Sequence, residues 1–505
     1  MKVLIANRGE IAVRVIRACR EMGLRTVAVY SECDRPSLHV RYADEAYALG
    51  GNAPGDSYLR IDKLIDIARR SKSDAVHPGY GFLAENEDFA RACIEAGLVF
   101  IGPPPEAIER MGSKTGARQV AVEAGVPVVP GTTTPLAPGV TDDEIAALAA
   151  EVGYPIFVKA VAGGGGKGMR QVDHPSALPS AVRAARSEAG SSFGDPAIYI
   201  ERQLIQPRHI EIQLLADQYG TVVPFTEREC SIQRRHQKVL EESPSVAVPE
   251  ETRRALADAA VAVARAVGYT NAGTIEFLLD RGGRFYFLEM NTRLQVEHPI
   301  TELVSGVDLV HWQLRIARGE RLTLDPGRTL VPRGHAIECR VYAEDADNNF
   351  LPSPGLVLGR RVPGGPGIRR DDGGVTPGLE VPIYYDPLIA KLSAWGEDRT
   401  QAILRMTRAL GEYEVRGIKT SIPFFRWLLQ DEDFRSGRFD TTVLDRELAR
   451  RRGEPFVTVP EEAERVALLA AAIRASERAL SGQGRKDGRP AASAWKQAAR
   501  TEGLR

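Results

Sequence analysis

Residues 289–298 read EMNTRLQVEH, and together with Glu276 thirteen positions upstream they decide what fold this chain can have. The segments 273–280 (GTIEFLLD) and 285–291 (FYFLEMN) have the β-branched and aromatic content of strands. Between them, Arg281-Gly282-Gly283-Arg284 supplies the positive φ of a tight hairpin turn. A turn centred on Gly282-Gly283 pairs Glu276 with Glu289 and Thr274 with Asn291. It also gathers Ile275, Phe277, Leu279, Tyr286, Leu288 and Met290 on the opposite face. One face is then core, and the other carries two carboxylates and an amide. Cross-strand neighbours sit roughly 4.5–5.5 Å apart at Cβ, so two ionised glutamates repel unless a cation lies between them. A small set of hard oxygen ligands suits Mg²⁺ or Mn²⁺, with substrate phosphates and water completing the octahedron. The bland alternative is an edge hairpin with a polar, solvated face. Against it, Arg293, Gln295 and Glu297 continue the period of two, lining up an anion-binding cation, an amide and a further carboxylate beyond the metal site.

A chain of 505 residues is too long for one compact core, so two to four domains are expected. With 66 Lys plus Arg against 67 Asp plus Glu, the charge balance argues against a global nucleic-acid or membrane-surface role. The five cysteines (Cys19, Cys33, Cys93, Cys230, Cys339) show no Cys-x-x-Cys spacing, which points away from disulfides and zinc and towards a reducing cytoplasm. Asn7, Arg8 and Glu10 interrupt the apolar start before a signal peptide forms, and no apolar run approaches the ~20 residues of a membrane helix. The expectation is a soluble, cytoplasmic protein with neither nucleic acid nor membrane as partner.

Val3 to Ala6 reads as a buried strand, Ile11 to Met22 as an amphipathic helix ended by Gly23, and Thr26 to Tyr30 as a second strand. This βαβ opening carries Asn7-Arg8-Gly9-Glu10 where a dinucleotide site would need Gly-x-Gly-x-x-Gly. Strands at 74–76 and 99–101 continue the alternation, giving a first α/β domain over 1–112. After a Pro- and Thr-rich stretch at 130–141, Ile156 to Lys159 reads as a strand running into GGGGKG at 163–168. A helix is expected at 249–267, with Pro249 at its start and Gly268 past its end, and a strand at 335–341 opens a mixed third domain over 335–445. In the tail, 446–505, Thr458 to Glu461 has capping-box spacing before an Ala/Leu-rich helix to about Leu480. A linker from Ser481 to Pro490 and a basic end with Trp495 follow; the expectation is that this end docks on a partner or, equally, that the tail packs on its own domain or is partly disordered.

The glycines Gly163, Gly164, Gly165, Gly166 and Gly168 around Lys167 form a loop whose backbone can approach phosphate oxygens closely, although its spacing is not that of a Walker A loop. Lys159 at the preceding strand end, and Lys114 in Met111-Gly112-Ser113-Lys114, can reach a nucleotide phosphate as point charges. Between this loop and the carboxylate hairpin, residues 227–242 concentrate Arg228, Arg234, Arg235, His236 and Lys238. A charge run is usually a solvated face; its position here favours holding an anionic second substrate.

Taken together, the chain resembles the biotin carboxylases of the ATP-grasp superfamily. Over about 1–445 and in collinear order it carries ANRGEIA (6–12), HPGYGFLAEN (77–86), GGGGKGM (163–169), RHIEIQ (208–213), CSIQRRHQK (230–238), EMNTRLQVEHPITE (289–302), HAIECRVYAED (335–345) and FLPSPG (350–355). The resemblance implies an α/β ATP-grasp fold. It comprises a Rossmann-like pre-ATP-grasp domain (1–112), an ATP-grasp domain (113–320) with a mobile glycine-rich lid at about 132–202, and a C-terminal biotin carboxylase domain (335–445). It implies that ATP phosphorylates bicarbonate to carboxyphosphate, which releases CO₂ for capture by the deprotonated ureido nitrogen of biotin. Matched to the family's motifs, Lys114, Lys159, the 163–168 loop, Glu201, Leu204, His209, Gln233 and His236 surround ATP, and Glu276, Glu289 and Asn291 hold Mg²⁺ or Mn²⁺, with two metal sites expected. Lys238, Arg293, Gln295 and Val296 hold bicarbonate, Glu297 is the base, and Arg340 stabilises the enolate form of biotin.

Lys167 stands where arginine is common, Ala346 where proline is frequent and Ser421 where asparagine is frequent. The tail has no Ala/Val-Met-Lys-Met biotinylation signature, so the expected partners are a separate biotin carboxyl carrier protein and carboxyltransferase subunits, with a homodimer implied by the resemblance alone. The leading expectation is the biotin carboxylase subunit of acetyl-CoA carboxylase. The same half-reaction also serves propionyl-CoA carboxylase or a two-subunit pyruvate carboxylase. Another ATP-grasp ligase and a nucleotide-binding regulatory scaffold are the remaining readings, and the scaffold is disfavoured because Glu276, Glu289, Glu297, Lys238 and Arg340 are all present.

Overall fold

The computed structural model describes residues 1–132, 134–137, 139–161, 169–458 and 460–483. Apolar runs near the N-terminus build a parallel five-stranded sheet in the order β3-β2-β1-β4-β5, from Lys2–Ile5 (β1), Arg25–Tyr30 (β2), Glu45–Ala48 (β3), Ala75–His77 (β4) and Val99–Phe100 (β5). Parallel neighbours need crossover connections. The first is the helix Gly9–Glu21, whose Ile11, Val15, Ile16 and Cys19 pack with Val3 and Ile5 in one core.

A small antiparallel sheet follows in the order β7-β6-β8, from Ile156–Ala160 (β6), Met169–Val172 (β7) and Ile198–Arg202 (β8). Ile145 and Val182, from the helices Asp142–Val152 and Leu178–Phe193, cover Ile156, Val158 and Ile200. The glycine loop 163–168, with Lys167, lies outside the described residues.

The site is carried by a nine-stranded antiparallel sheet. Its strands are Arg208–Ala216 (β9), Val222–Pro224 (β10), Arg228–Arg234 (β11), Gln237–Ser243 (β12), Asn271–Leu279 (β13), Phe285–Asn291 (β14) and His335–Tyr342 (β15), with Ile368–Asp372 and Leu388–Gly396 completing it. The order is β14-β13-β9-β11-β12-β15, then 388–396 and 368–372, with β10 beside β9. Leu240 pairs with Cys339 and Glu241 with Glu338, so one continuous sheet joins the segments 113–320 and 335–445. Residues Met1–Glu454 form one compact unit and a second begins at Pro455. Considered by itself, the second unit contains the helix Glu461–Gln483, three residues longer than the sequence suggested; Val459 of the capping-box stretch and everything after Gln483, Trp495 included, lie outside the described residues.

The carboxylate hairpin has the expected pairs, Thr274 with Asn291 and Glu276 with Glu289, but reaches them by another route. The connection is a three-residue loop, closed by hydrogen bonds between Asp280 and Arg284, with Gly283 in the left-handed region at φ +80° and the Asp280 carboxylate accepting from the Gly282 and Arg284 amides. That loop offsets the register by one residue, and a bulge at Leu288 restores it. As a result Phe285 and Phe287, rather than Tyr286 and Leu288, join Phe277 in the core, with ring centroids 5.5 and 6.5 Å from it. The strand ends at Asn291, so the period of two does not run on through Arg293, Gln295 and Glu297; Glu297 instead precedes the helix His298–Ser305, whose first turn contains Pro299.

Two members of the basic run, Arg234 and Arg228, are engaged within the fold. Arg234 donates to Asn349 at 2.6 Å and stacks on Phe350, with 4.4 Å to the ring centroid. Arg228 has no exposed surface: it is ion-paired to Glu211 and donates to Gln213 at 3.0 Å, Thr301 at 2.8 Å and Thr274 at 3.2 Å. One guanidinium thus ties β11 to β9, β13 and the helix His298–Ser305. Arg228→Ala is expected to cost about 3–5 kcal/mol of unfolding free energy, because it removes one of the two cations paired with the buried Glu211 carboxylate and leaves the hydroxyls of Thr274 and Thr301 without their donor. Urea denaturation measures this, and a loss below about 1 kcal/mol would contradict the assigned role.

Candidate active site

Strand register sets three glutamates in a row across the sheet: Glu211 on β9 pairs with Glu276 on β13, which pairs with Glu289 on β14. Three carboxylates at cross-strand spacing repel one another, so their ionisation depends on the cations brought among them. The first is Lys238. It follows the two-residue turn Arg235-His236, in which both residues are left-handed (φ +50° and +66°) as a type I′ hairpin requires. Its Nζ donates to Glu211 at 2.6 Å, Glu276 at 2.7 Å and Glu297 at 2.7 Å. The second is Arg340 on β15, whose Nη2 donates to Glu297 at 2.9 Å and Nε to Glu241 at 2.7 Å.

Burial alone would raise the Glu297 carboxyl, but Lys238, Arg340 and Arg228 outweigh it and hold Glu297 well below the usual carboxylate range. Glu276 is treated likewise: desolvation pushes it up, while Lys238 and His209, whose Nε2 lies 3.0 Å from its Oε2, pull it well below the usual carboxylate range. Glu289 shifts the other way, raised by desolvation and then by the Glu276 charge. Asn291 donates to Glu276 at 2.8 Å and accepts from Arg293 at 2.9 Å. Two carboxylates and an amide oxygen, the outer carboxylate having no ion pair among the described residues to offset Glu276, form a donor set that fits a hard divalent metal.

These groups open on a cleft of about 570 Å³. Lys114, Lys159, Glu201, Leu204, His209, Gln233, His236, Lys238, Glu276, Glu289, Asn291, Arg293, Gln295, Val296 and Arg340 all line it, which brings together every expected site residue in the described chain except Glu297. Glu297 has no exposed surface and sits behind Lys238 and Arg340. At the other end, Lys159 pairs with Glu201 at 2.5 Å, Arg118 also reaches Glu201 at 3.2 Å, and Phe157, Met169, Leu278 and Leu288 make an apolar wall. The bulge is what turns Leu288 to this face. Desolvation lowers the Lys114 ammonium, with the charge of Glu289 opposing. Arg293 is held by Glu85 at 2.8 Å and by Gln295 at 2.9 Å rather than by Glu297, and Gln295 donates to Glu276 at 3.0 Å.

Four supporting residues escaped the sequence reading: Glu211, Glu241, Glu85 and Lys391, the last donating to the Val296 carbonyl at 2.8 Å. Glu211 had a signal, since the alternation in RHIEIQ sets it on one face with His209 and Gln213. Glu241 had none: a bulge at Val239 brings it to the same face as Lys238, three residues away.

Sequence comparison places this architecture. Residues 1–108 match the family described as biotin carboxylase, N-terminal domain; 113–325 the carbamoyl-phosphate synthase L chain, ATP binding domain; and 338–446 the biotin carboxylase C-terminal domain. A pyruvate carboxylase subunit of Methanothermobacter thermautotrophicus is 52% identical over 88% of this chain and 89% of its own. Biotin carboxylase 1 of Bacillus subtilis is 50% identical over 88% of this chain and 98% of its own. Among solved structures, the biotin carboxylase domain dimer of Hydrogenobacter thermophilus 2-oxoglutarate carboxylase, in complex with MgADP, ADP and bicarbonate, superposes with a TM-score of 0.85 at 46% identity, covering 91% of this chain and 99% of that one. The fold and site are those of an ATP-grasp ligase. More narrowly, the chain belongs to the biotin carboxylase family, and its reaction is the ATP-dependent carboxylation of biotin. No helix among the described residues is long and apolar enough to cross a membrane.

Lys238→Met leaves Glu211, Glu276 and Glu297 to Arg228, Arg340 and His209. In the parent, the depressed Glu276 and Glu297 contribute stability that is present above the unfolded value of ~4.3 and lost as pH falls through their lower folded values. Without the ammonium, burial raises these carboxyls above ~4.3, so the variant keeps their contribution at low pH and loses it as pH rises. Its deficit in unfolding free energy should grow by about 2 kcal/mol or more between pH 5 and pH 8, measured by urea denaturation in the presence of a chelator. Equal deficits at both pH values would contradict the shared-ammonium arrangement.

Proposed function

We propose that bicarbonate and ATP react in this cleft to form carboxyphosphate, and that its carboxyl group passes to biotin borne on a separate carrier protein. The observation that carries the reading is Glu297, a fully buried carboxylate clasped by Lys238 and Arg340 at the inner end of the cleft. Lys114, Lys159, Glu201, Leu204, His209, Gln233 and His236 bind ATP, the base lying against the apolar wall of Phe157, Met169, Leu278 and Leu288. By the family's motif, the glycine-rich residues 163–168 with Lys167 contribute to binding the phosphates. Glu276, Glu289 and Asn291 hold Mg²⁺ or Mn²⁺, which when bound neutralises phosphate charge. Phosphoryl transfer needs alignment and charge compensation more than covalent participation, and lysines with a glycine loop provide both.

Lys238, Arg293, Gln295 and Val296 hold bicarbonate. Glu297 is ionised at every working pH and accepts the bicarbonate proton. As the anion draws Lys238 towards itself, Glu297 loses one of its two clasping cations and becomes the stronger base. Arg340 faces the enolate oxygen that develops on the ureido group of biotin, which is electrostatic stabilisation by a preorganised donor. In this reading 1–112, 113–320 and 335–445 are functional segments of one compact unit, the last two joined by a single sheet.

A homodimer is supported by the dimer described for the Hydrogenobacter domain, and a cytoplasmic setting by the scattered, unpaired cysteines. The final acceptor is acetyl-CoA or a related acyl-CoA, reached through a carboxyltransferase partner. One observation favours pyruvate as a second reading. The pyruvate carboxylase subunit leaves part of its own length unmatched, as this chain does, whereas the Bacillus biotin carboxylase is matched over 98%.

Glu297→Gln is expected to lower bicarbonate-dependent ADP release by about 10²-fold or more while the dissociation constant for ATP stays within about twofold. A variant retaining most of its rate would remove Glu297 from the role of base.

A further inference from the structure

Arg340 divides itself between two carboxylates, and only one of them, Glu297, faces the reaction. The other, Glu241, has no exposed surface; its Oε1 accepts from Arg340 Nε and its Oε2 has no hydrogen-bond partner among the described residues. Directly opposite on β15 stands Glu338, equally buried, whose Oε2 accepts from Ser393 at 2.8 Å and whose Oε1 is also unpartnered. Registered antiparallel neighbours bring their Cβ atoms to roughly 4.5–5.5 Å, within reach of one O–H···O bond between carboxyl groups.

The cations around this pair are already engaged. Lys238 serves Glu211, Glu276 and Glu297. Lys391, from the strand 388–396, serves Glu10 of the first helix at 3.3 Å and the Val296 carbonyl. Arg369, from 368–372, serves Asp371 and Glu302. Among the described residues Arg340 is the one cation hydrogen-bonded to this pair, through Glu241 alone, and Glu297 takes its other edge; the charges of Lys391 and Arg340 reach Glu338 without a hydrogen bond. Two neighbouring buried carboxylates with so little cationic compensation do not both ionise at neutral pH.

We propose that Glu241 and Glu338 share one proton across β12 and β15, and that Glu241, presenting a neutral acceptor to Nε, is the positioning residue that keeps the Arg340 guanidinium directed at Glu297 and the cleft. The inference rests on the role given to Arg340 above. Burial pushes Glu241 up to about 8 against the pull of Arg340, and Glu338 up to about 7 against that of Lys391, as a shared proton requires. When pH rises and the pair loses this proton, its second negative charge competes with Glu297 for the guanidinium, so the turnover of biotin declines.

ADP release with Mg·ATP, bicarbonate and free biotin, measured from pH 6.5 to 9, tests this in three variants of the full chain. Glu241→Ala is expected to lower kcat at least tenfold, with KM for ATP within twofold. Glu241→Gln reproduces the neutral acceptor and donates to Glu338, so it should stay within threefold of the parent near pH 7 and lose the alkaline decline. A glutamine variant as impaired as the alanine one, or an alanine variant at the parental rate, overturns the proposal. Should Glu241→Ala fail to fold, the glutamine profile decides: a flattened alkaline limb supports the shared proton and an unchanged limb refutes it. Arg340→Gln separates the two readings, because full activity there removes Arg340 itself from the reaction, whatever Glu241 does.

Discussion

A single ammonium, that of Lys238, neutralises carboxylates from three separate parts of the chain: Glu211 on β9, Glu276 on β13 and Glu297 ahead of the helix His298–Ser305. Taking like charges out of water at cross-strand spacing is unfavourable by several kcal/mol per ion unless cations are fixed among them. The rest of the site follows from meeting that condition. Arg228 braces Glu211 from within the sheet, Arg340 closes on Glu297 from β15, and His209 lies against Glu276. Glu289, at the end of the row, has no ion pair among the described residues and is left as the group a divalent metal would satisfy.

Continuity of the large sheet gives this charge arrangement its rigidity. Lys238 and Arg340 lie on strands that are hydrogen-bonded neighbours, although about a hundred residues separate them in sequence. Their spacing is therefore set by backbone pairing and not by the packing of two independent domains. A bulge at Val239 places Lys238 and Glu241 on one face, and a bulge at Leu288 restores the Glu276–Glu289 pair after a three-residue loop. Bulges re-aim side chains within an otherwise regular ladder, and both of these act at the chemical centre.

Sequence alone carried the reading a long way at the hairpin. Glu276, Glu289, Thr274 and Asn291 pair as alternation and the glycine turn require, because two register offsets of one residue cancel. Neither offset has a signature in residue type, so Leu288 was expected in the core and in fact lines the cleft. Arg293, Gln295 and Glu297 reach the site as expected, but through an irregular segment rather than a continued strand. The role of Arg228 was hidden because a charge run looks alike whether its members meet solvent or seal a core. Glu241 depends on a bulge, and Glu85 on a contact made from more than two hundred residues away, so no local pattern announces either.

ADP release by the purified protein with Mg·ATP and bicarbonate, measured with and without free biotin, tests the assignment most directly. Stimulation by biotin of at least tenfold is the expected result. Bicarbonate-dependent release that is indifferent both to free biotin and to a biotinylated carrier protein would contradict a biotin carboxylase site and point to another acceptor for the phosphorylated intermediate.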